Sequence, residues 1–157
     1  MKKIIIILVI FFFDRATKIY LIDLQATGTD IDFYILPFLN FSLVWNTGVG
    51  FGLVSLEANI FYHALTAIII LINLVIIYFL IKAKKYYIYL LAFIIGGSLG
   101  NLFDRIYYYA VPDFIDIHID NFHWFVFNLA DIFITVGIIG FMFTEFLKKE
   151  KNLHNDK

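Results

Sequence analysis

The sequence predicts a membrane protein of the all-α class, a bundle of four transmembrane helices with a small extracytoplasmic β-cradle. Three observations support this fold. The chain of 157 residues is 62% hydrophobic with a mean hydropathy of +0.86, more apolar than ordinary soluble proteins. Its apolar residues are concentrated in runs of about 20 residues, the length that crosses a bilayer. Its lysines collect near the chain ends and in one short turn.

The four runs belong to a single integral membrane domain, 1–157. The predicted spans are residues 4–22, 58–81, 86–105 and 124–146. Asp14, Arg15 and Lys18 interrupt the first span, whereas the second carries no formal charge. The absence of cysteine excludes disulfides and thiolate catalysis. We expect no nucleic-acid binding, because the chain has no basic patch with interleaved aromatic residues.

The basic residues predict the orientation of the chain. Nine of the twelve fall on one side if the chain crosses the membrane four times: Lys2, Lys3, Lys82, Lys84, Lys85, Lys148, Lys149, Lys151 and Lys157. The positive-inside rule then places both termini in the cytoplasm. Lys2 and Lys3 before an apolar run would also suit a cleavable signal peptide, but no small-residue cleavage site follows that run directly.

The two connections on the opposite side are expected to contain β-structure. Apolar and polar residues alternate in residues 40–46, which is typical of a half-buried strand. We therefore expect a β-cradle at about residues 23–57, although a short hairpin with a connecting role alone would show the same pattern. Asp116, His118 and Asp120 alternate with isoleucines and predict a solvated outer strand.

Asp131 is the most unusual residue in the chain. It is the sole Asp, Glu, Lys or Arg between Asn121 and Thr144. A carboxylate inside a span costs a few kcal/mol or more, so such residues are rare and usually functional. Asp113 lies on the connection that leads into the same span. We interpret Asp113 and Asp131 as a catalytic pair.

Other polar residues fall at the same predicted depth, in the outer half of the bilayer. The pairs that share a helix face are Asp14 with Lys18, Asn101 with Asp104, and Asn128 with Asp131. Structural explanations remain open: an Asp14–Lys18 ion pair, a helix cap and interfacial anchor from Asp104 and Arg105, and interhelical hydrogen bonds from the asparagines. Convergence at one depth nevertheless favours a single site that faces outward.

Two neighbouring carboxylates can hydrolyse an amide bond by general acid–base catalysis. Because two adjacent negative charges are costly, one carboxyl keeps its proton. The ionised partner takes a proton from water while the protonated one polarises the carbonyl. His118 and His123 near Asp113 leave a metal site open as an alternative, although the chain contains no H-E-x-x-H motif.

Five short motifs occur in order along nearly the whole chain. They are D-x-x-T-K at residues 14–18, N-x-G at 46–48, G-G-x-x-G-N-x-x-D-R at 96–105, V-x-D-F at 111–114 and F-N-x-A-D at 127–131. In these motifs the chain resembles the lipoprotein signal peptidases, the prolipoprotein (type II) signal peptidases of bacteria.

The resemblance implies an outward β-cradle built from the first outer connection and an aspartyl dyad, Asp113 and Asp131, with no metal or cofactor. The residues it implies for substrate binding or support of the dyad are Asp14, Lys18, Asn46, Gly48, Asn101, Asp104, Arg105 and Asn128. The implied substrate is a diacylglyceryl-modified prolipoprotein, cut on the N-terminal side of the lipidated cysteine. We expect a monomer in the bacterial cytoplasmic (inner) membrane, in contact with membrane lipid, with its active site near the extracytoplasmic face.

The chain departs from the family pattern at four places. Arg15 stands where Gln is common, which adds a positive charge. Val49 and Gly50 stand where small alanines are usual. Phe125 replaces a usual Pro, and Ile132 replaces the Ser after the second Asp. None removes a predicted catalytic group, but they bear on the geometry at the start of the fourth helix and on substrate preference.

Two other protein classes are compatible with part of this pattern. A small proton-coupled transporter would use Asp131 or Asp14 as its titrating carboxylate. Transporters often have internal repeats and polar groups at the bilayer midplane, whereas this chain has no evident repeat and its polar groups lie to one side. A non-catalytic scaffold that presents the outer loop to a partner would not need Asp131 inside a span.

Overall fold

The structure, a computed structural model, describes residues 1–48, 60–119 and 122–155. The helices are α1 (Lys2–Ala26), α2 (Ile60–Lys82), α3 (Tyr87–Tyr107) and α4 (Leu129–Asn155), and the strands are β1 (Asp32–Leu36), β2 (Leu39–Asn46), β3 (Val111–Ile119) and β4 (Phe122–Phe127). Within these described ranges, three helices are long and apolar enough to cross a membrane: α2, α3 and the Leu129–Lys149 part of α4. The fourth, α1, has three charged side chains near its middle.

Helix α3 is the centre of the bundle, packed against α1, α2 and α4. Its apolar face forms a core with α2, in which Leu80, Leu91, Ile94 and Ile95 are buried. Helix α2 contacts little besides α3 and leaves most of its apolar surface outward. A helix that is apolar on all sides is stable in this setting when lipid surrounds it.

Two glycines allow the helices to approach α3 closely. A Cβ atom at Gly97 would collide with the backbone carbonyl of Ala130 on α4. A Cβ at Gly100 would collide with the carboxylate of Asp14 on α1. Small residues are typical of such contacts between membrane helices, because backbones can then pack together. Both contacts lie at the end of α3 that carries its polar residues.

The four strands form one antiparallel sheet in the order β1-β2-β3-β4. Helices α2 and α3 lie between β2 and β3 in the chain, so pairing of these strands joins the two outer connections. A second core of Leu21, Ile31 and Phe114 fixes the sheet to the end of α1, and Leu129 at the start of α4 packs against it. The sheet is therefore packed against α1, which precedes its first strand, and α4, which follows its last.

The second outer connection contributes more to the sheet than the sequence indicated. The prediction confined the cradle to about residues 23–57, but α1 continues to Ala26, and β3 and β4 supply half of the strands. Residues 124–127 of the predicted fourth span belong to β4, and the helix begins at Leu129. The parts of the cradle and second span at residues 49–59, including Val49 and Gly50, lie outside the described residues, as do Asp120 and Lys157.

The late start of α4 has a local cause. Asn128 is the N-cap residue: its Oδ1 accepts a hydrogen bond from the backbone N–H of Asp131, 3.1 Å away. The Asp131 carboxylate accepts one from the backbone N–H of Asn128, also at 3.1 Å. This reciprocal arrangement is a capping box. It ends the strand and begins the helix, whereas hydropathy alone does not separate Phe127 from Leu129.

The prediction of a solvated strand at Asp116 and His118 was wrong in one respect. Both residues lie in β3, as expected, but their side chains are buried. Strand β3 is an inner strand between β2 and β4, and Nδ1 of His123 on β4 lies 2.7 Å from Oδ2 of Asp116. Alternation with isoleucine identified the strand but not which of its faces is covered.

Replacing Gly97 with Ala should destabilise the protein by about 1–3 kcal/mol, because the new methyl group must displace the backbone of α4. Unfolding of the detergent-purified protein, followed by circular dichroism, measures the change. Gly140→Ala on α4 is the matched control, since its methyl group meets mainly the movable end of the Leu90 side chain. Equal stability of the two variants would contradict the close packing of α3 against α4.

Candidate active site

Strand pairing brings two other parts of the chain to Asp113, the end of β2 and the residue after β4. In the β2–β3 register, Val44 lies opposite Asp113 and Asn46 opposite Val111. Asn46 donates a hydrogen bond from Nδ2 to Oδ2 of Asp113 at 2.9 Å. Asn128, directly after β4, donates from Nδ2 to Oδ1 of the same carboxylate at 2.5 Å. Asp113 is 3% exposed, so these two amides replace most of the water it would otherwise bind.

Asp131 lies in the first turn of α4, on the other side of Asn128. Its Oδ2 accepts the Asn128 backbone N–H, as described above, and its Oδ1 accepts a hydrogen bond from Nδ2 of Asn101 on α3 at 2.8 Å. A negative charge at this position is also favoured by the dipole at the helix N-terminus. Asn128 therefore binds both carboxylates, one through its side chain and one through its backbone.

The orientation of each asparagine amide is determined by a second donor. Lys18 donates from Nζ to Oδ1 of Asn101 at 2.8 Å, and an ammonium group can only donate. The backbone N–H of Gly48 donates to Oδ1 of Asn46 at 2.9 Å, and that of Asp131 donates to Oδ1 of Asn128. Each amide oxygen is thus occupied, and each NH₂ group is turned toward a carboxylate.

Lys18 belongs to a cluster of four buried charges, with Asp14, Arg15 and Asp104. Its Nζ lies 2.9 Å from Oδ2 of Asp14 and 2.7 Å from Oδ2 of Asp104. Arg15 forms an ion pair with the other oxygen of Asp104 and lies over the ring of Phe103, 5.0 Å from its centroid. Two acids and two bases give a cluster of zero net formal charge. Buried ions require such compensation, because an unpaired one is strongly destabilising.

The charged cluster also reaches α4 directly. Oδ1 of Asp14 accepts a hydrogen bond from the backbone N–H of Ala130 at 3.0 Å. That N–H is one of the four at the helix start that have no partner within the helix. The cluster therefore fixes the position of the first turn of α4, which contains Asp131.

Arg105 closes the other side of the site. It is 8% exposed, and its Nη2 donates to the carbonyl oxygen of Gly48 at 3.3 Å. The backbone carbonyl of Arg105 accepts a hydrogen bond from the hydroxyl of Tyr62 on α2 at 3.0 Å. Arg105 is thus directed inward and does not extend to the membrane interface as an anchor would.

The electrostatics at Asp113 favour its protonated form. Burial raises the pKa of its carboxyl from 3.8 to about 6, and the nearby charge of Asp131 contributes in the same direction. Hydrogen bonds from Asn46 and Asn128 oppose the shift because they stabilise the carboxylate. A group with this pKa can hold or release a proton near neutral pH, as general acid–base catalysis requires.

Two apolar cavities lie near the site, and one of them has Asp131 in its lining. One of about 410 Å³ lies between α1, the sheet and the start of α4, and Phe41, Phe114 and Leu129 are among its lining residues. The other has a volume of about 270 Å³. It is lined by Asp131 together with Phe125 and Ile132, two of the residues that depart from the family pattern. The site therefore combines the buried Asp113 and the partly buried Asp131 with nearby apolar space.

The competing chemistries have less support in the structure. In the part of the chain that is described, no group of three or more His, Asp or Glu side chains is arranged to hold a metal ion. Ser98 has the Gly-x-Ser-x-Gly spacing of some serine nucleophiles, but it lies within helix α3 and not on the strand-to-helix turn of that motif. Its Oγ accepts a hydrogen bond from Asn73 of α2.

All ten candidate residues named from the sequence lie in this connected network. The sequence did not indicate the contributions of Tyr62 and the Ala130 N–H, and it indicated Arg15 only as an added charge. Tyr62 gave no signal, because a tyrosine near the end of a span is typical of the interfacial aromatic belt. The role of Ala130 follows from the helix start at Leu129, which the spans did not locate.

Comparison with known proteins identifies the family. The sequence model described as Signal peptidase (SPase) II matches residues 6–147. The chain belongs to the signal peptidase II family. A lipoprotein signal peptidase of Pelagibacter ubique is 48% identical over 155 residues, covering 98% of this chain and 93% of that protein. One of Anaplasma phagocytophilum is 40% identical over 151 residues, covering 94% of each.

Solved structures agree with this assignment. A structure described as a bacterial membrane enzyme has a TM-score of 0.73 and 31% identity, and the match covers 96% of this chain and 90% of that one. A second of the same description has a TM-score of 0.70 and 32% identity, with 91% of each chain covered. The protein is an aspartic-type protease of a membrane enzyme family, and the transporter alternative is not supported.

Lys18→Met should destabilise the protein by roughly 3–5 kcal/mol, because Asp14 and Asp104 then share only the charge of Arg15. Adding Asp104→Asn to that variant should recover part of the loss, since the cluster returns to zero net charge. Chemical unfolding in detergent measures both effects.

Lys149→Met, at an exposed position far from the cluster, is the control and should change stability little. A double variant no more stable than Lys18→Met alone would be inconsistent with charge balance as the reason for this cluster.

Proposed function

We propose that Asp113 and Asp131 are the catalytic dyad of this signal peptidase II. The observation that carries the proposal is the double role of Asn128, which hydrogen bonds to both carboxylates across the β4–α4 junction. The substrate is a diacylglyceryl-modified prolipoprotein, and the scissile bond lies on the N-terminal side of the lipidated cysteine. The relatives described as lipoprotein signal peptidases support that substrate class.

In the proposed reaction, Asp113 holds the proton and Asp131 is ionised. Asp131 removes a proton from a water molecule as the water oxygen attacks the scissile carbonyl carbon, and Asp113 gives its proton to the carbonyl oxygen. The resulting tetrahedral diol collapses when the proton on Asp131 moves to the leaving amide nitrogen and the diol returns one proton to Asp113. The dyad is regenerated, and no metal or covalent intermediate is needed.

The apolar cavities suit a substrate that carries lipid. Phe114, which lines one cavity, directly follows Asp113 in the sequence. The lining of the other cavity includes Asp131 itself. Acyl chains bound in such spaces would hold the lipidated cysteine, and the bond before it, beside the carboxylates. Positioning of this kind supplies much of an enzyme's rate advantage. Asn46, Asn101, Arg105 and Asn128 then support the dyad or bind the substrate backbone.

The proposed orientation puts the dyad near the extracytoplasmic face of the bacterial inner membrane and both termini in the cytoplasm. Lys3 donates a hydrogen bond to the carbonyl of Leu80, and Tyr87 one to Glu145, so the lysine-bearing ends of α1, α2 and α4 lie together. We further propose that α1 spans the membrane, since its charges are buried against α3. All the site residues come from one chain, which supports a monomeric enzyme.

Asp113→Asn and Asp131→Asn should each abolish cleavage of a lipidated precursor peptide by the purified, reconstituted enzyme, because either change removes one half of the proton transfer. Membrane insertion should be retained. Asp32→Asn, at an exposed position of β1, is the matched control and should cleave at the normal rate. Near-normal processing by either dyad variant would rule out the two-aspartate mechanism.

The pH dependence of kcat/KM tests which carboxyl holds the proton. If Asp113 is the acid, kcat/KM should fall as pH rises through about 6, because the free enzyme loses that proton there. Asn46→Ala removes a hydrogen bond that lowers this pKa, so the falling limb should move to higher pH. A limb that stays in place or moves to lower pH in this variant would assign the proton elsewhere.

A further inference from the structure

A third cavity lies at the lysine-bearing end of the bundle, away from the aspartates. It has a volume of about 600 Å³ and lies between the end of α2, the turn into α3 and the later part of α4. Its apolar lining consists of Phe79, Ala83, Leu91 and Phe141. Because α3 packs against both α2 and α4, the cavity lies beside α3 and between these two helices.

Cationic side chains surround this apolar space. Lys82, Lys84 and Lys148 line the cavity, and Glu145 is the single acid among the lining residues. The hydroxyl of Tyr87 donates a hydrogen bond to Oε1 of Glu145 at 2.5 Å, and Nζ of Lys148 lies 3.9 Å from the same oxygen. Three ammonium groups against one engaged carboxylate give the cavity an excess of positive charge.

We propose that this cavity binds one anionic phospholipid from the leaflet on the lysine side. The phosphate would lie between Lys84 and Lys148, and an acyl chain would pack against Phe79, Leu91 and Phe141. Both parts of the cavity are needed for this assignment: basic pockets between membrane helices attract anionic headgroups, and the apolar lining suits a chain already in the bilayer. Lys82 is less available, since it lies over the ring of Tyr78 at 4.2 Å.

The charge pattern selects among membrane lipids. Phosphatidylcholine, a zwitterionic phospholipid, carries a quaternary ammonium close to its phosphate, and this cation would meet the lysines unfavourably. An anionic lipid such as phosphatidylglycerol has no such group. The cavity should therefore prefer phosphatidylglycerol to phosphatidylcholine of the same chain length, independently of the peptidase reaction.

Native mass spectrometry of the full-length protein, delipidated in detergent and titrated with each lipid, measures this preference. The wild type should bind phosphatidylglycerol at least several-fold more tightly than phosphatidylcholine. Lys84→Gln combined with Lys148→Gln should weaken phosphatidylglycerol binding roughly tenfold or more. Lys2→Gln with Lys149→Gln, which makes the same change in net charge outside the cavity, should leave it nearly unchanged.

A second variant tests the apolar part without changing charge. Ala83→Phe should fill part of the cavity and weaken phosphatidylglycerol binding, while cleavage of a precursor peptide in detergent reports that the enzyme is still folded. Equal weakening in the two lysine double variants would mean general attraction to a basic surface and would overturn the proposal. So would inorganic phosphate that competes as well as the lipid, because the cavity would then be a simple anion site.

Discussion

The site depends on one constraint, the supply of hydrogen-bond donors to two carboxylates that have little access to water. Three asparagine side chains and one backbone N–H meet it, and each amide can do so only if its oxygen has another donor. Lys18, the Gly48 N–H and the Asp131 N–H are these donors. The Lys18 ammonium and two backbone N–H groups thus determine which end of each asparagine amide faces a carboxylate.

This constraint links the fold to the reaction. Asp113 is held by the sheet and Asp131 by the first turn of α4, so the relation between them depends on the junction at Asn128. The capping box fixes that junction locally, and the contact of Asp14 with the Ala130 N–H fixes it against α1. The close approach at Gly97 and Gly100 makes the second contact possible. Small residues in α3 therefore influence the proposed dyad through the position of α4.

The sequence predicts the helices, the candidate site residues and two strand patterns, because each of these has a local signal. Hydropathy marks the spans, and Asp131 stands out because nothing around it is charged. Sheet register is not local: the pairing of β2 with β3 joins residues on either side of α2 and α3. Which face of β3 is covered is not local either, and the sequence did not indicate that Asp116 and His118 are buried. The start of α4 was locally encoded by Asn128 and Asp131, but the apolar run from Trp124 concealed it.

Arg15, which departs from the family pattern, balances the charge of the buried cluster. With an uncharged Gln at this position, Lys18 alone would face Asp14 and Asp104, and the cluster would have a net charge of −1. The guanidinium of Arg15 engages the oxygen of Asp104 that Lys18 does not. The cluster next to Asn101 is then neutral, so an ionised Asp131, as in the proposed reaction, would have no second uncompensated charge nearby. The same ammonium that balances Asp14 and Asp104 also orients the Asn101 amide toward Asp131. Charge balance and hydrogen-bond direction in this site therefore meet at a single side chain, that of Lys18.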